Sequence, residues 1–173
     1  MGDEVRIWTS VGSAGPLSTT DLAKVTLDNA VVALGQEVVP PTPSAPDAPS
    51  AVIPQASAVV RYNITPVDGL FLTSPFHYHL QLTYRGTVRA RLVQVDLLNG
   101  AAETDLVHFD STAFPPAHSF VTNAAPAAQD SSVMDFVNFA YYAEATLTAP
   151  EITIGNPAKV AAVKVYASPN FPG

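Results

Sequence analysis

The stretch Phe76-His77-Tyr78-His79-Leu80-Gln81-Leu82-Thr83-Tyr84 alternates without a break: every even position is apolar or aromatic and every odd one is polar. That is the period-2 pattern of a strand with one buried and one open face. After Arg85-Gly86-Thr87 the alternation resumes, with Val88, Ala90 and Leu92 on one side and Arg89 and Arg91 on the other. A three-residue connection between two such runs predicts a β-hairpin over residues 76–98, pairing Tyr84 with Val88 and Leu80 with Leu92. In that register Thr83 neighbours Arg89 and Gln81 neighbours Arg91. The hairpin then gathers His77, His79, Gln81, Arg89 and Arg91 on one exposed face, the concentrated polar constellation of the chain and its predicted contact face.

Working outward, Val93, Val95 and Leu97 break the phase set by Val88, Ala90 and Leu92, which calls for a β-bulge or for a segment covered on both sides. Residues 58–65 read as a strand closed by Pro66, and residues 106–109 as a short one. In residues 136–148, Val137, Phe139, Tyr141, Ala143, Ala145 and Leu147 face one way and Asn138, Tyr142, Glu144 and Thr146 the other. Residues 152–154 and 160–166 add two strands, while 113–132, with Pro115, Pro116 and Pro126, reads as a long surface loop. For 24–34, two short strands around Asp28-Asn29 are favoured over a helix by the β-branched content.

Six prolines between Pro40 and Pro54 predict an extended, semi-rigid connector in which no ladder forms. The expected organisation is an N-terminal arm at 1–39, a Pro-rich linker at 40–54 and a body at 55–173. Seven to nine short strands without a persuasive helix make that body an all-β antiparallel β-sandwich or jelly roll. An arm of about forty residues rarely holds its own core. It packs on its own body or crosses to a neighbouring subunit.

Composition narrows function by exclusion. The chain has 173 residues, 47% of them hydrophobic, and a net charge of −7. Such a balance disfavours nucleic acid as a partner, because phosphate neutralisation needs a basic patch. It disfavours a polybasic membrane contact too, and no apolar run is long enough for a membrane helix. The start Met1-Gly2-Asp3-Glu4 lacks a signal-peptide layout. With no cysteine there is no disulfide, thiolate nucleophile or Cys-based zinc site. Charged residues are 13%, against roughly 25% in an average domain. A surface so poor in charge suits a protein packed against copies of itself, outside the cell or in a virion.

Four chemistries compete for the remaining signals. His77 and His79, at i and i+2 of a strand, leave one face together and need a third metal ligand from His108, His118, Asp105 or Asp110. Arg89 and Arg91 beside them oppose a dication, so no metal and no cofactor is expected. The arginines offer two-point binding to an acidic surface on a neighbouring copy, such as that around Glu103 and Asp105. A glycan is the alternative ligand, stacked on Tyr142 with Asn138 and Glu144 beside it. Catalysis finds no motif: Gly12-Ser13-Ala14-Gly15 lacks the first glycine of a nucleophile elbow, and no phosphate-binding glycine loop is present. The expected role is therefore that of a non-enzymatic assembly subunit, with a ligand-binding β-sandwich as the alternative.

Overall fold

A computed structural model describes residues 7–12, 15, 24–39, 51–54, 57–65, 76–127, 134–149 and 157–169. These hold twelve strands: β1 (Ile7–Val11), β2 (Val25–Asp28), β3 (Val31–Leu34), β4 (Gln36–Val39), β5 (Ala51–Pro54), β6 (Ser57–Ile64), β7 (Phe76–Arg85), β8 (Thr87–Asp96), β9 (Glu103–Asp110), β10 (Val121–Pro126), β11 (Phe139–Thr148) and β12 (Lys159–Pro169). One sheet runs β10-β7-β12-β3-β2, with β1 also on β12, and the facing sheet runs β6-β11-β8-β9. From β6 to β12 the chain changes sheet at every connection except β8 to β9. The eight strands β3 and β6 to β12 thus trace a jelly roll, as the sequence led us to expect.

The decisive stretch departs from its expected pairing. β7 and β8 are not a hairpin: they belong to opposite sheets, and the Arg85-Gly86-Thr87 connection arches over the end of the core. Tyr84 pairs with Val121 and Val160, whereas Val88 pairs with Leu147. Leu80 pairs with Ala125 and Val165, and Leu92 with Ala143 and Val107. The physical reason is that alternation marks which side of a strand is apolar, and a hairpin and an arch satisfy that mark equally. The inward faces Tyr78, Leu80, Leu82, Tyr84 and Val88, Ala90, Leu92 are all buried, but they meet across the core rather than side by side.

Gly86 lets the arch form. It has φ +76°, donates its N–H to the Ala117 carbonyl at 2.9 Å, and would bring a Cβ to 3.1 Å from the Ala158 Cα. Gly86→Ala is expected to cost about 1–2 kcal/mol for the left-handed backbone alone, read as a lower urea midpoint at unchanged slope.

The N-terminal segment lies on its own body. β1 pairs with β12 from Ile7↔Tyr166 to Val11↔Ala162, and β3 continues along the same edge through Val32↔Val160. Trp8, within the segment 1–39 read as an arm, is buried in the core with Val32 and Leu34. Tyr62 of β6 donates its hydroxyl to the Gly12 carbonyl at 2.9 Å, and burial holds that hydroxyl well above its ordinary pKa. The strands around Asp28-Asn29 form as expected, with Asn29 at φ +51° in the turn.

Two other expectations change, and one is met. The Pro-rich region carries a ladder after all, because β5 pairs with β4 and Pro54 falls at its end, opposite Gln36. Within the expected loop 113–132, β10 is an edge strand, a place where Pro126 needs no donor. The phase break after Leu92 has both anticipated features: Leu106 of β9 is skipped in the register between Leu92↔Val107 and Val93↔Asp105, and Val93 is buried on the outer face, opposite Tyr142. The expected strand 152–154 lies outside the described residues.

Candidate functional site

β11 is flanked by β6 and β8, so its outward side chains touch charged residues from two directions. One row across the outer face of the four-stranded sheet reads Arg61, Glu144, Arg91, His108, and the next Val59, Thr146, Arg89, Asp110. Glu144 sits between two guanidinium groups. Its Oε2 accepts from Arg61 Nη2 at 2.8 Å and Nε at 3.1 Å, and its Oε1 accepts from Arg91 Nε at 2.9 Å. Arg91 continues through Nη1 to Asp105 at 3.2 Å and through Nη2 to Glu103 at 3.4 Å. Arg89 donates its Nε to Asp110 at 3.0 Å, while the other Asp110 oxygen accepts both the N–H and the hydroxyl of Thr112.

The protonation states follow from these contacts. Burial pushes the Glu144 carboxyl up, but the hydrogen bonds from Arg61 and Arg91 outweigh it and hold the group below its ordinary 4.5. Asp110 is held down by the Thr112 hydroxyl and N–H, with help from Arg89. Groups depressed in the folded state bind more protons when unfolded, so their stabilisation is complete above the ordinary carboxylate range and is lost as pH falls through it. The urea midpoint is therefore expected to drop as pH is lowered below about 4.5, and Glu144→Gln is expected to flatten that dependence.

A cleft of about 230 Å³ opens on this face, lined by Arg89, Arg91, His108, Asp110, Glu144 and Thr146 and floored by Ala90 and Phe109. Its lining is held before anything binds. Arg91 has each donor-bearing nitrogen on a carboxylate, and Glu144 is only 12% exposed. Arg89 and His108, 68% and 73% exposed, form the open side.

The predicted contact face does not form as one surface. His79 and Gln81 point outward from the six-stranded sheet, where Tyr166 and Lys164 of β12 are their register neighbours. Arg89 and Arg91 point outward from the other sheet, with the core between the two groups. Thr83 meets Thr122 at 2.9 Å between hydroxyl oxygens instead of Arg89. His77 pairs with Ser168 in the β7–β12 ladder, and its side chain lies outside the described residues. Of the metal candidates, His79 stacks flat on Tyr166 at 4.7 Å while His108 is on the opposite face. No group of three His, Asp or Glu arranged for a metal is found among the described residues.

The stacking platform expected at Tyr142 is occupied by the chain itself. Tyr142 is 5% exposed, the Arg61 guanidinium lies 4.3 Å from its ring centre, and its hydroxyl donates to Glu103 at 2.7 Å. Burial, and then that hydrogen bond, push the hydroxyl up to about 12. Asn138 is taken into the turn before β11, where its amide donates to Asp135 at 2.6 Å. Of that trio only Glu144 reaches the cleft. The acidic pair Glu103 and Asp105, expected to meet a neighbour's arginines, meets Arg91 of its own chain. What sequence reading missed is Arg61 and its bond to Glu144, 83 residues away; the signal was two opposite charges at outward strand positions, with nothing local to join them.

No family model matches the chain, and no curated protein matches it. Solved structures do. A cyclase from Fischerella sp. TAU is 12% identical, with a TM-score of 0.45 over 95% of this chain and 85% of that one. A structure described as "CBM4 structure and function" is 12% identical, TM-score 0.34, over 95% of this chain and 91% of that one. A family 30 carbohydrate-binding module is 9% identical, TM-score 0.33, over 100% and 88%. The expectation that the chain is not an enzyme is corrected here, because enzymes stand among the structures it is similar to. The chain's own strand order makes it a β-sandwich of two antiparallel sheets.

Proposed function

We propose that this chain is a ligand-binding β-sandwich, whose small polar ligand sits in the cleft on the outer face of the four-stranded sheet. The observation that supports this reading is a cleft lined by charged groups already fixed by one another. The pairs Arg89–Asp110, Arg91–Glu103 and Arg91–Asp105 lie between solvent-exposed groups, and such pairs contribute only about 0–1 kcal/mol each to stability. Pre-ordering is what binding gains from: side chains already held lose little freedom when a ligand arrives. Arg91 and Glu144 are the fixed part of the lining, and Arg89 and His108 are the residues a ligand meets first.

An assembly role has no comparable support, since the segment expected to reach a neighbour is laid along β12 of its own chain. The test is a titration followed by amide NMR with a panel of saccharides, organic acids, phosphate esters and amines. Binding is expected to shift the amides of residues 89–91, 108–110 and 144–146, and Arg89→Ala is expected to weaken it about tenfold, the loss of one or two hydrogen bonds. Mass spectrometry of the recovered ligand tells binding alone from turnover. Shifts confined to the six-stranded sheet, or affinity untouched in both Arg89→Ala and His108→Ala, would overturn the reading.

A further inference from the structure

We infer that the ligand of this cleft is a neutral polyhydroxylated molecule, read through a pair of adjacent hydroxyls by the terminal nitrogens of Arg89. The inference rests on the cleft being a binding site and concerns what it selects.

The hydrogen-bonding capacity left over in the cleft is mixed. Arg89 uses only its Nε among the described residues, so the planar edge formed by its two terminal nitrogens is free to donate. An ionised carboxylate has roughly four lone-pair positions. Asp110 has filled three of them, two on Oδ1 and one on Oδ2, and Glu144 likewise three, one on Oε1 and two on Oε2. One acceptor position therefore remains on each. Thr146 adds a hydroxyl that both donates and accepts. A ligand hydroxyl is itself a donor and an acceptor, so two neighbouring hydroxyls can take the Arg89 edge with their lone pairs and give their protons to Asp110 and Glu144.

Charged ligands satisfy only half of this arrangement. A carboxylate or phosphate matches the Arg89 edge but brings acceptors up to Asp110 and Glu144. Within the network Arg61, Arg89 and Arg91 face Glu103, Asp105, Asp110 and Glu144, so carboxylates outnumber guanidinium groups by one, in a chain of net charge −7. An ammonium matches the carboxylates and is opposed by the arginines. A neutral polyol disturbs no existing pair. Asp110 both accepts from the ligand and fixes the Arg89 plane, and Thr112, which holds the Asp110 carboxylate, is the positioning residue.

The experiment titrates the full chain, by amide NMR and calorimetry, with neutral gluco-, manno-, galacto- and xylo-configured trisaccharides. The matched uronate trimer, a protonated glucosamine trimer and inorganic phosphate serve as comparisons. At least one neutral trisaccharide is expected to bind at residues 89–91 and 108–110, about tenfold more tightly than its uronate or amino counterpart. Removing one of its paired hydroxyls as a deoxy sugar is expected to cost a further factor of about ten. Arg89→Lys, which keeps the charge and loses the planar edge, is expected to behave like Arg89→Ala toward the neutral sugar. Thr112→Val, which removes a hydroxyl bond to Asp110, is expected to weaken binding of the neutral sugar, and Thr112→Ser, which keeps that hydroxyl, to restore it. A uronate or phosphate bound at the same amides more tightly than any neutral sugar overturns this inference and leaves the cleft reading standing. No shift of those amides with any probe overturns both.

Discussion

Cysteines introduced as Thr83→Cys and Thr122→Cys are expected to cross-link almost completely under mild oxidation, whereas Thr83→Cys with Arg89→Cys stays reduced. The chain has no native cysteine, so each pair can be read directly by non-reducing electrophoresis and mass spectrometry. Thr83 and Thr122 are register partners of β7 and β10, with hydroxyl oxygens 2.9 Å apart. Residues directly opposite on antiparallel strands have Cβ atoms about 4.5–5.5 Å apart, bordering the roughly 3.5–4.5 Å that a disulfide spans. A hairpin would instead make Thr83 and Arg89 neighbours. In the arch they lie on the outer faces of opposite sheets, and packed sheets are already about 10 Å apart before outward side chains are added. Cross-linking of the 83/89 pair would restore the hairpin and dismantle the jelly roll.

The largest stability loss is expected for Phe109→Ala. Phe109 is 2% exposed and reaches from β9 into the core, where its ring meets Tyr84 of β7 edge-on at 5.4 Å and Phe114 at 5.6 Å. It thus joins the two sheets beneath the arch and beside the cleft floor. Truncating a buried phenylalanine costs about 3–5 kcal/mol, a large share of the roughly 5–15 kcal/mol that holds a domain of this size together. The urea midpoint should fall by more than that of any surface variant. Val137→Ala, at a side chain 85% exposed, is the control, with a change expected within about 0.5 kcal/mol. A small effect of Phe109→Ala would mean that the sheets do not meet at this ring.

Much of the fold was legible because strand alternation is a local property. Tyr78, Leu80, Leu82 and Tyr84 of β7, Val88, Ala90 and Leu92 of β8 and Tyr141, Ala143, Ala145 and Leu147 of β11 were identifiable from period 2 and are buried, whereas Val137, read as sharing the last of these faces, lies before β11 begins and is 85% exposed. Strands β2 and β3 followed from a β-branched sequence broken at Asp28-Asn29. β10 was missed because Val-Thr-Asn-Ala-Ala-Pro carries little alternation; an edge strand buries little on its own account and is held by its neighbour, β7. Arg89, Arg91, Glu144 and His108 were singled out from sequence, but in different groupings. Glu144 was assigned to an exposed aromatic site that Arg61 in fact covers, and Arg91 to a neighbour's acidic patch that its own strand β9 provides.

The sequence by itself determined that this is an all-β chain, which side of each main strand is core, and which polar residues face out. Each of these depends on residues one or two positions apart, and so is written in the local order of the chain. Only the tertiary structure decided which sheet a strand joins, and with it which charges meet. Tyr84 and Val88 have the same inward pattern whether the chain turns within a sheet or arches between two. Arg61 and Glu144 become neighbours only because β11 is inserted beside β6 after 83 residues of chain. The cleft follows from that order of strands, since its lining comes from β8, β9 and β11 together.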